Sequence, residues 1–112
     1  MIDAYNFGAI QINGKEYSQD VIIFPDYVFS PWWRAEGHNL AVSDLQKVIT
    51  YHPEVLIIGQ GASGRMAVPA ETEEYLEKLD ITLFIEPTGN AVERYNSVSA
   101  SANTVAALHL TC

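Results

Sequence analysis

VLIIGQGASGRMAVP, residues 55–69, is an apolar run that gives way to spaced glycines and then reaches a proline. Val55-Leu56-Ile57-Ile58 has no polar alternation, which predicts a strand buried on both faces. Gly59-Gln60-Gly61-Ala62-Ser63-Gly64 then matches, letter for letter, the G-x-G-x-x-G pattern that seats a pyrophosphate between a strand and the N-terminus of a helix. Glu86 falls at the end of the next predicted strand, about where a ribose-binding acid would stand. The proline reverses this reading. In a dinucleotide fold the third glycine lies inside the crossover helix, whose first turn faces the phosphates. Here Arg65-Met66-Ala67-Val68 follows Gly64, and Pro69 cannot sit in a helix interior without losing a hydrogen bond and clashing with the preceding turn. The helix therefore begins near Pro69, Met66 to Val68 is extended, and no helix dipole is aimed at the glycines. Neither a nicotinamide nor a flavin cofactor is expected. The glycines then serve a tight turn of positive φ beside a packed sheet. A narrower ligand reading stays open: Gly59, Gly61, Ser63, Gly64 and Arg65 as a loop that holds a small anion or a nucleotide phosphate.

Downstream, Thr72, Tyr75, Leu76 and Leu79 share one face of the helix that Pro69 opens, and Glu71, Glu73, Glu74 and Glu77 fill the other. Ile81 to Ile85 is the next strand. Thr88 or Asn90 caps a third helix carrying Val92 and Tyr95, and Thr104 to Leu110 is the last strand. Upstream, Ser43-Asp44-Leu45-Gln46 fits a capping box, and Leu45, Val48 and Ile49 lie on one face of a helix ended by His52-Pro53. The first third is β structure: Tyr5 to Ile12, a turn at Asn13-Gly14, Val21 to Phe24, and Tyr27 to Phe29. Strand-helix-strand-helix-strand after an N-terminal β region predicts an α/β sandwich with a mixed sheet, in one domain over residues 1–112.

Composition limits the function. The chain has 112 residues, 48% of them hydrophobic, enough for one packed core. Six Lys and Arg stand against fourteen Asp and Glu, a net charge of -8, and the basic residues are scattered singly. Nucleic acid and anionic membrane surfaces, which call for clustered basic residues, are not expected partners. The longest apolar runs are strand-sized, so no membrane insertion is expected. A single cysteine, Cys112, and an N-terminus without a signal pattern point to a cytoplasmic setting.

Three further groups of residues could carry chemistry. His38 follows Trp33-Arg34 in a polar loop where Glu36 could assist a base, although loop hydrogen bonding is the plainer role. His109 and Cys112 end the chain and suggest thiol chemistry, but on a strand they point to opposite faces. With only three histidines and one cysteine, a metal site is not expected. The aromatic residues of the β region, with Trp32, Trp33, Arg34 and His38, form a candidate interaction patch for a protein partner or for self-association.

Taken in order, Trp33-Arg34 with Gly37-His38, Leu56 to Gly61, Val68-Pro69, Glu71-Thr72 with Glu74-Tyr75-Leu76, Ala91-Val92 with Tyr95-Asn96, and His109-Leu110-Thr111-Cys112 resemble the adipogenesis-associated Mth-type domain family. The likeness covers essentially the whole chain and is strongest from residue 54 onward. This is a small α/β domain of unknown function found in bacteria and archaea, and shared with mitochondrial complex I assembly factor 3 proteins. The resemblance implies a three-layer α/β sandwich with a central mixed sheet, whose last strand lies in the middle and runs antiparallel to its neighbours. The residue pattern alone makes that strand parallel, which would bring Cys112 beside the glycine loop. The family supplies no catalytic residue to carry over. Its mitochondrial members imply an accessory, assembly-factor-like role through protein contacts.

Overall fold

The computed structural model describes residues 1–112. Strands β1 (Ile2–Asn6), β2 (Ala9–Ile12) and β3 (Lys15–Tyr17) form an antiparallel meander. Asn13 and Gly14 both take positive φ, 49° and 83°, as a tight two-residue hairpin turn requires. A second hairpin turn at Phe7-Gly8 splits what the sequence presents as one strand from Tyr5 to Ile12.

The main sheet holds β4 (Val21–Ile23), β5 (Val28–Phe29), β6 (Val55–Gln60), β7 (Thr82–Glu86) and β8 (Thr104–His109), in the order β5-β4-β8-β6-β7. A short 3-10 turn at Val42–Leu45 runs into α1 (Gln46–Tyr51), and α2 (Ala70–Lys78) and α3 (Thr88–Val98) follow. Pro69 occupies the cap position of α2, with Met66 to Val68 outside any helix, as the proline predicts. Two caps differ from expectation. Asp44, not Ser43, secures the first helical turn, its carboxylate accepting the Ala41 N–H at 2.9 Å. Pro87 holds the cap position of α3, which frees the Thr88 hydroxyl for other partners.

The last strand is central, but it is antiparallel only to β4. It runs parallel to β6 in a register from Val55↔Thr104 to Gln60↔His109. This corrects the all-antiparallel arrangement that the family resemblance implies. After β6, each strand is followed or preceded by a helix that returns the chain to the same edge, so β6, β7 and β8 share a direction.

Alternation along the buried strands builds the three layers. Ile22, Leu56, Ile58, Val105 and Ala107 face Leu45, Val48 and Leu76 of the α1–α2 layer. Val21, Ile23, Ile57, Ala106 and Leu108 face Ala91 and Tyr95 of α3 together with Ile2, Ile10 and Ile12 of the small sheet. The parallel strands end at Gln60, Glu86 and His109 along one edge. Because β4 runs the other way, its first residues meet the same edge, with Val21 opposite Leu108.

Candidate functional site

That edge carries a polar cluster at the end of an otherwise apolar sheet. Asp20 precedes β4 and His109 closes β8. Asp20 Oδ1 accepts the Leu110 N–H at 2.8 Å, which locks the carboxylate to the strand end. Its other oxygen, Oδ2, lies 2.8 Å from His109 Nδ1 and 2.9 Å from Arg34 Nη2. Both groups donate to it, and their convergence on one oxygen places Nη2 and Nδ1 3.1 Å apart. Burial pushes the Asp20 carboxyl up, but the hydrogen bonds from His109, the Leu110 N–H and Arg34 outweigh it and hold the group below the usual carboxylate range. An ionised Asp20 fixes the proton of a neutral His109 on Nδ1.

The Arg34 side chain reaches this point from a loop that is tied down at both ends. Trp32 donates its backbone N–H to the Asp20 carbonyl at 2.9 Å and its indole N–H to the Asp44 carbonyl at 3.0 Å. The guanidinium stacks over the Trp32 ring at 4.7 Å and donates to the Gly37 carbonyl from Nε and Nη2. The His38 ring meets the His109 ring edge-on, with centroids 5.6 Å apart. The Arg34 and His109 side chains are only 5% and 8% exposed. Arg34 Nη1 and His109 Nε2 are nevertheless buried with no partner among the protein's own groups. Beside the cluster opens a cavity of about 280 Å³ lined by Asp20, Trp32, Trp33, Arg34, His109 and Thr111, among others.

The glycine loop is built differently. The Gly61 N–H donates to Thr88 Oγ1 at 2.8 Å, and Thr88 Oγ1 in turn donates to the His109 carbonyl at 2.6 Å. The Ala62 N–H goes to the Thr111 carbonyl, the Gly64 N–H to Gly61, the Arg65 N–H to Cys112 and the Met66 N–H to Gln60. Those donors, which the anion reading would have turned outward, are occupied by the chain itself. A Cβ on Gly61, whose φ is +99°, would lie 2.5 Å from the Cys112 carbonyl, and one on Gly59 would lie 2.8 Å from Leu108 and Thr88. These two glycines let the last residues and α3 close on the strand end. Ser63 and Arg65 are exposed on the outer side of the turn.

Of the other residues singled out in the sequence, Arg34, His38 and His109 are brought together, with Trp32 beneath them and Trp33, 73% exposed, at the rim. Cys112 does lie beside the glycine loop, as a parallel last strand requires, but the His109 ring is turned to Asp20. Glu86 pairs with Arg94 through two hydrogen bonds of 3.0 Å. Asp20 was missed. Its one signal is an acid immediately before the buried run Val21 to Phe24, and it gains meaning only from the strand order.

Solved structures share this architecture. A conserved hypothetical protein of Pyrococcus horikoshii is 24% identical, over 100% of this chain and 99% of that one, with a TM-score of 0.84. The protein named MT938 is 28% identical over 100% and 98%, with a TM-score of 0.80. A Mth938-like domain from Bordetella pertussis is 21% identical over 97% and 84%, with a TM-score of 0.78. The profile of the protein family of unknown function DUF498/DUF598 matches residues 2–110, and the chain belongs to that family.

Proposed function

We propose that this protein is a non-enzymatic accessory domain that works by docking a protein partner at Trp33 and the mouth of the cavity beside it, in a reduced, cytoplasmic setting. The observation that carries this reading is the contrast between two adjacent indoles. Trp32 is 3% exposed and pinned by two hydrogen bonds, while Trp33 is 73% exposed. An aromatic side chain held out from an anchored loop supplies contact area at small entropic cost, the character of a binding anchor. A chain of net charge -8 favours a basic partner surface, and an Arg or Lys laid over Trp33 is the contact that joins charge to ring.

Affinity capture from the source cells, with wild type, Trp33→Ala and Tyr75→Ala in parallel, tests the reading. The expected result is one stoichiometric basic protein held by wild type and Tyr75→Ala and lost from Trp33→Ala. Sedimentation of the purified chain separates partner docking from self-association. Capture that is indifferent to Trp33, or dimerisation through it, would replace this reading.

A further inference from the structure

We propose that Asn13 is a site of spontaneous deamidation, and that the Asp3 carboxylate governs its rate by holding the backbone N–H whose loss starts the reaction. The site lies in the hairpin turn between β2 and β3, and its chemistry does not draw on the docking of a partner.

Asn13 is the only asparagine of the chain that is followed by glycine. That neighbour matters because its nitrogen is the nucleophile. The Gly14 nitrogen gives up its proton to hydroxide and attacks Asn13 Cγ. The N–Cγ bond forms, the Cγ–Nδ2 bond breaks, and Nδ2 leaves as ammonia with a proton taken from water. Water then opens the succinimide at one carbonyl or the other, leaving aspartate or isoaspartate. One water is consumed and one ammonia released, and no oxidant is needed. Asn13 and Gly14 are both exposed, and even a Cβ on Gly14 would meet nothing within 4 Å, so hydroxide and water reach the turn freely.

The Gly14 N–H itself is not free. It donates to Asp3 Oδ2 at 2.7 Å, in the short range of charge-assisted hydrogen bonds. Removing that proton breaks the bond and sets a nitrogen anion beside a carboxylate, and both effects oppose the ionisation. The placement of Asp3 is built into β1. Pairing with β2 slips there from Ile2↔Ile12 to Ala4↔Gln11, leaving Asp3 as the extra residue, and such an irregularity re-aims a side chain. The rest of the turn is pinned to Met1: the Asn13 N–H donates to the Met1 carbonyl at 3.0 Å, and Asn13 Oδ1 accepts from the Met1 nitrogen at 2.8 Å. Reaction would undo this arrangement. Isoaspartate adds a carbon to the main chain inside the two-residue turn that sets Ile12 opposite Lys15, and aspartate puts a second carboxylate beside Asp3.

The test incubates the whole chain in mildly alkaline buffer. Deamidation is read by the mass gained as amide becomes acid, isoaspartate by enzymatic methylation, and peptide mapping assigns both to Asn13. Asp3→Ala should deamidate about tenfold faster than wild type, the weight of a hydrogen bond to a charged acceptor. Asp3→Asn, which keeps the shape and removes the charge, should quicken the reaction as well. Amide exchange at Gly14, followed by NMR, is an independent readout, because hydroxide takes the same proton. In wild type it should be at least about tenfold slower than in the urea-unfolded chain, despite the exposure of the turn. Deamidation that neither substitution quickens, or a Gly14 N–H that exchanges in wild type as freely as in the unfolded chain, would overturn the proposal. The exchange result decides it even if a variant does not fold.

Discussion

Two arginine–carboxylate pairs stand at the same edge of the main sheet, and they are built to opposite ends. Arg94 stacks over Phe84 at 4.3 Å and meets Glu86 through two parallel hydrogen bonds, on a surface where its side chain is 41% exposed. Arg34 stacks over Trp32 in much the same way, but with its side chain nearly buried, and it shares a single oxygen of Asp20 with a histidine. The Glu86 carboxyl is lowered chiefly because Arg94 hydrogen-bonds to it. The Asp20 carboxyl is lowered against its own burial. Good bidentate geometry therefore accompanies the more exposed pair. Incomplete pairing, with a guanidinium nitrogen left over, accompanies the pair that the fold encloses. An arginine used only for stability would have its donors met. The leftover donor is what sets the Asp20 pair apart from the Glu86 pair.

The sharpest way to break this comparison is to remove each carboxylate in turn. Asp20→Ala leaves Arg34 buried and unpaired, and urea unfolding should register a loss of about 3–5 kcal/mol. Glu86→Ala frees an arginine that water can solvate, and should leave the midpoint nearly unmoved. Equal losses would erase the distinction between the pairs.

Arg34→Lys is the next largest effect. A lysine keeps the charge but gives up the stack on Trp32 and the fork that spans Asp20 and Gly37. A loss of about 2 kcal/mol is expected in the same assay, whereas Arg94→Lys should have a far smaller effect.

Acid sharpens the comparison further. The folded Asp20 ionises below the unfolded reference of about 3.9. Its contribution is complete above that value and is lost as the pH falls through about 4 toward the folded pKa, because the unfolded chain then binds the proton more readily. Unfolding measured from about pH 6 to about pH 2 should show this fall, flattened in Asp20→Asn. Glu86→Gln should keep most of the slope. The smallest effect is that of salt: added chloride should screen what little Glu86 and Arg94 contribute and leave the Asp20 difference in place.

How far the sequence led varies by residue. Pro69 was legible because its constraint is local: no tertiary contact can restore its missing N–H, so the helix had to start there. The buried strand 55–60 was legible from its unbroken apolar run. The direction of the last strand followed from the alternation of strands and helices, even where the family resemblance pointed the other way. The hairpin at Phe7-Gly8 was hidden because apolar alternation continues through the turn. The glycine loop carried the most visible pattern on the chain, yet its N–H groups hold the chain's own last residues. The cluster of Asp20, Arg34 and His109 was least legible. Its members lie 14 and 75 residues apart along the chain (20 to 34, then 34 to 109), and only the strand order, with β4 beside β8, brings them to one oxygen. Arg34 read as part of an interaction patch and His109 as a partner for Cys112, because nothing local announces a buried acid.

The protonation of His109 tests the central claim most directly, because Asp20 is held to dictate it. A long-range proton–nitrogen correlation spectrum at neutral pH reads which ring nitrogen bears hydrogen. The account predicts Nδ1 protonated and bound to Asp20, with Nε2 as the bare nitrogen, and loss of that preference in Asp20→Asn. A ring protonated at Nε2 alone, or one whose tautomers interconvert equally with Asp20 present, would contradict it.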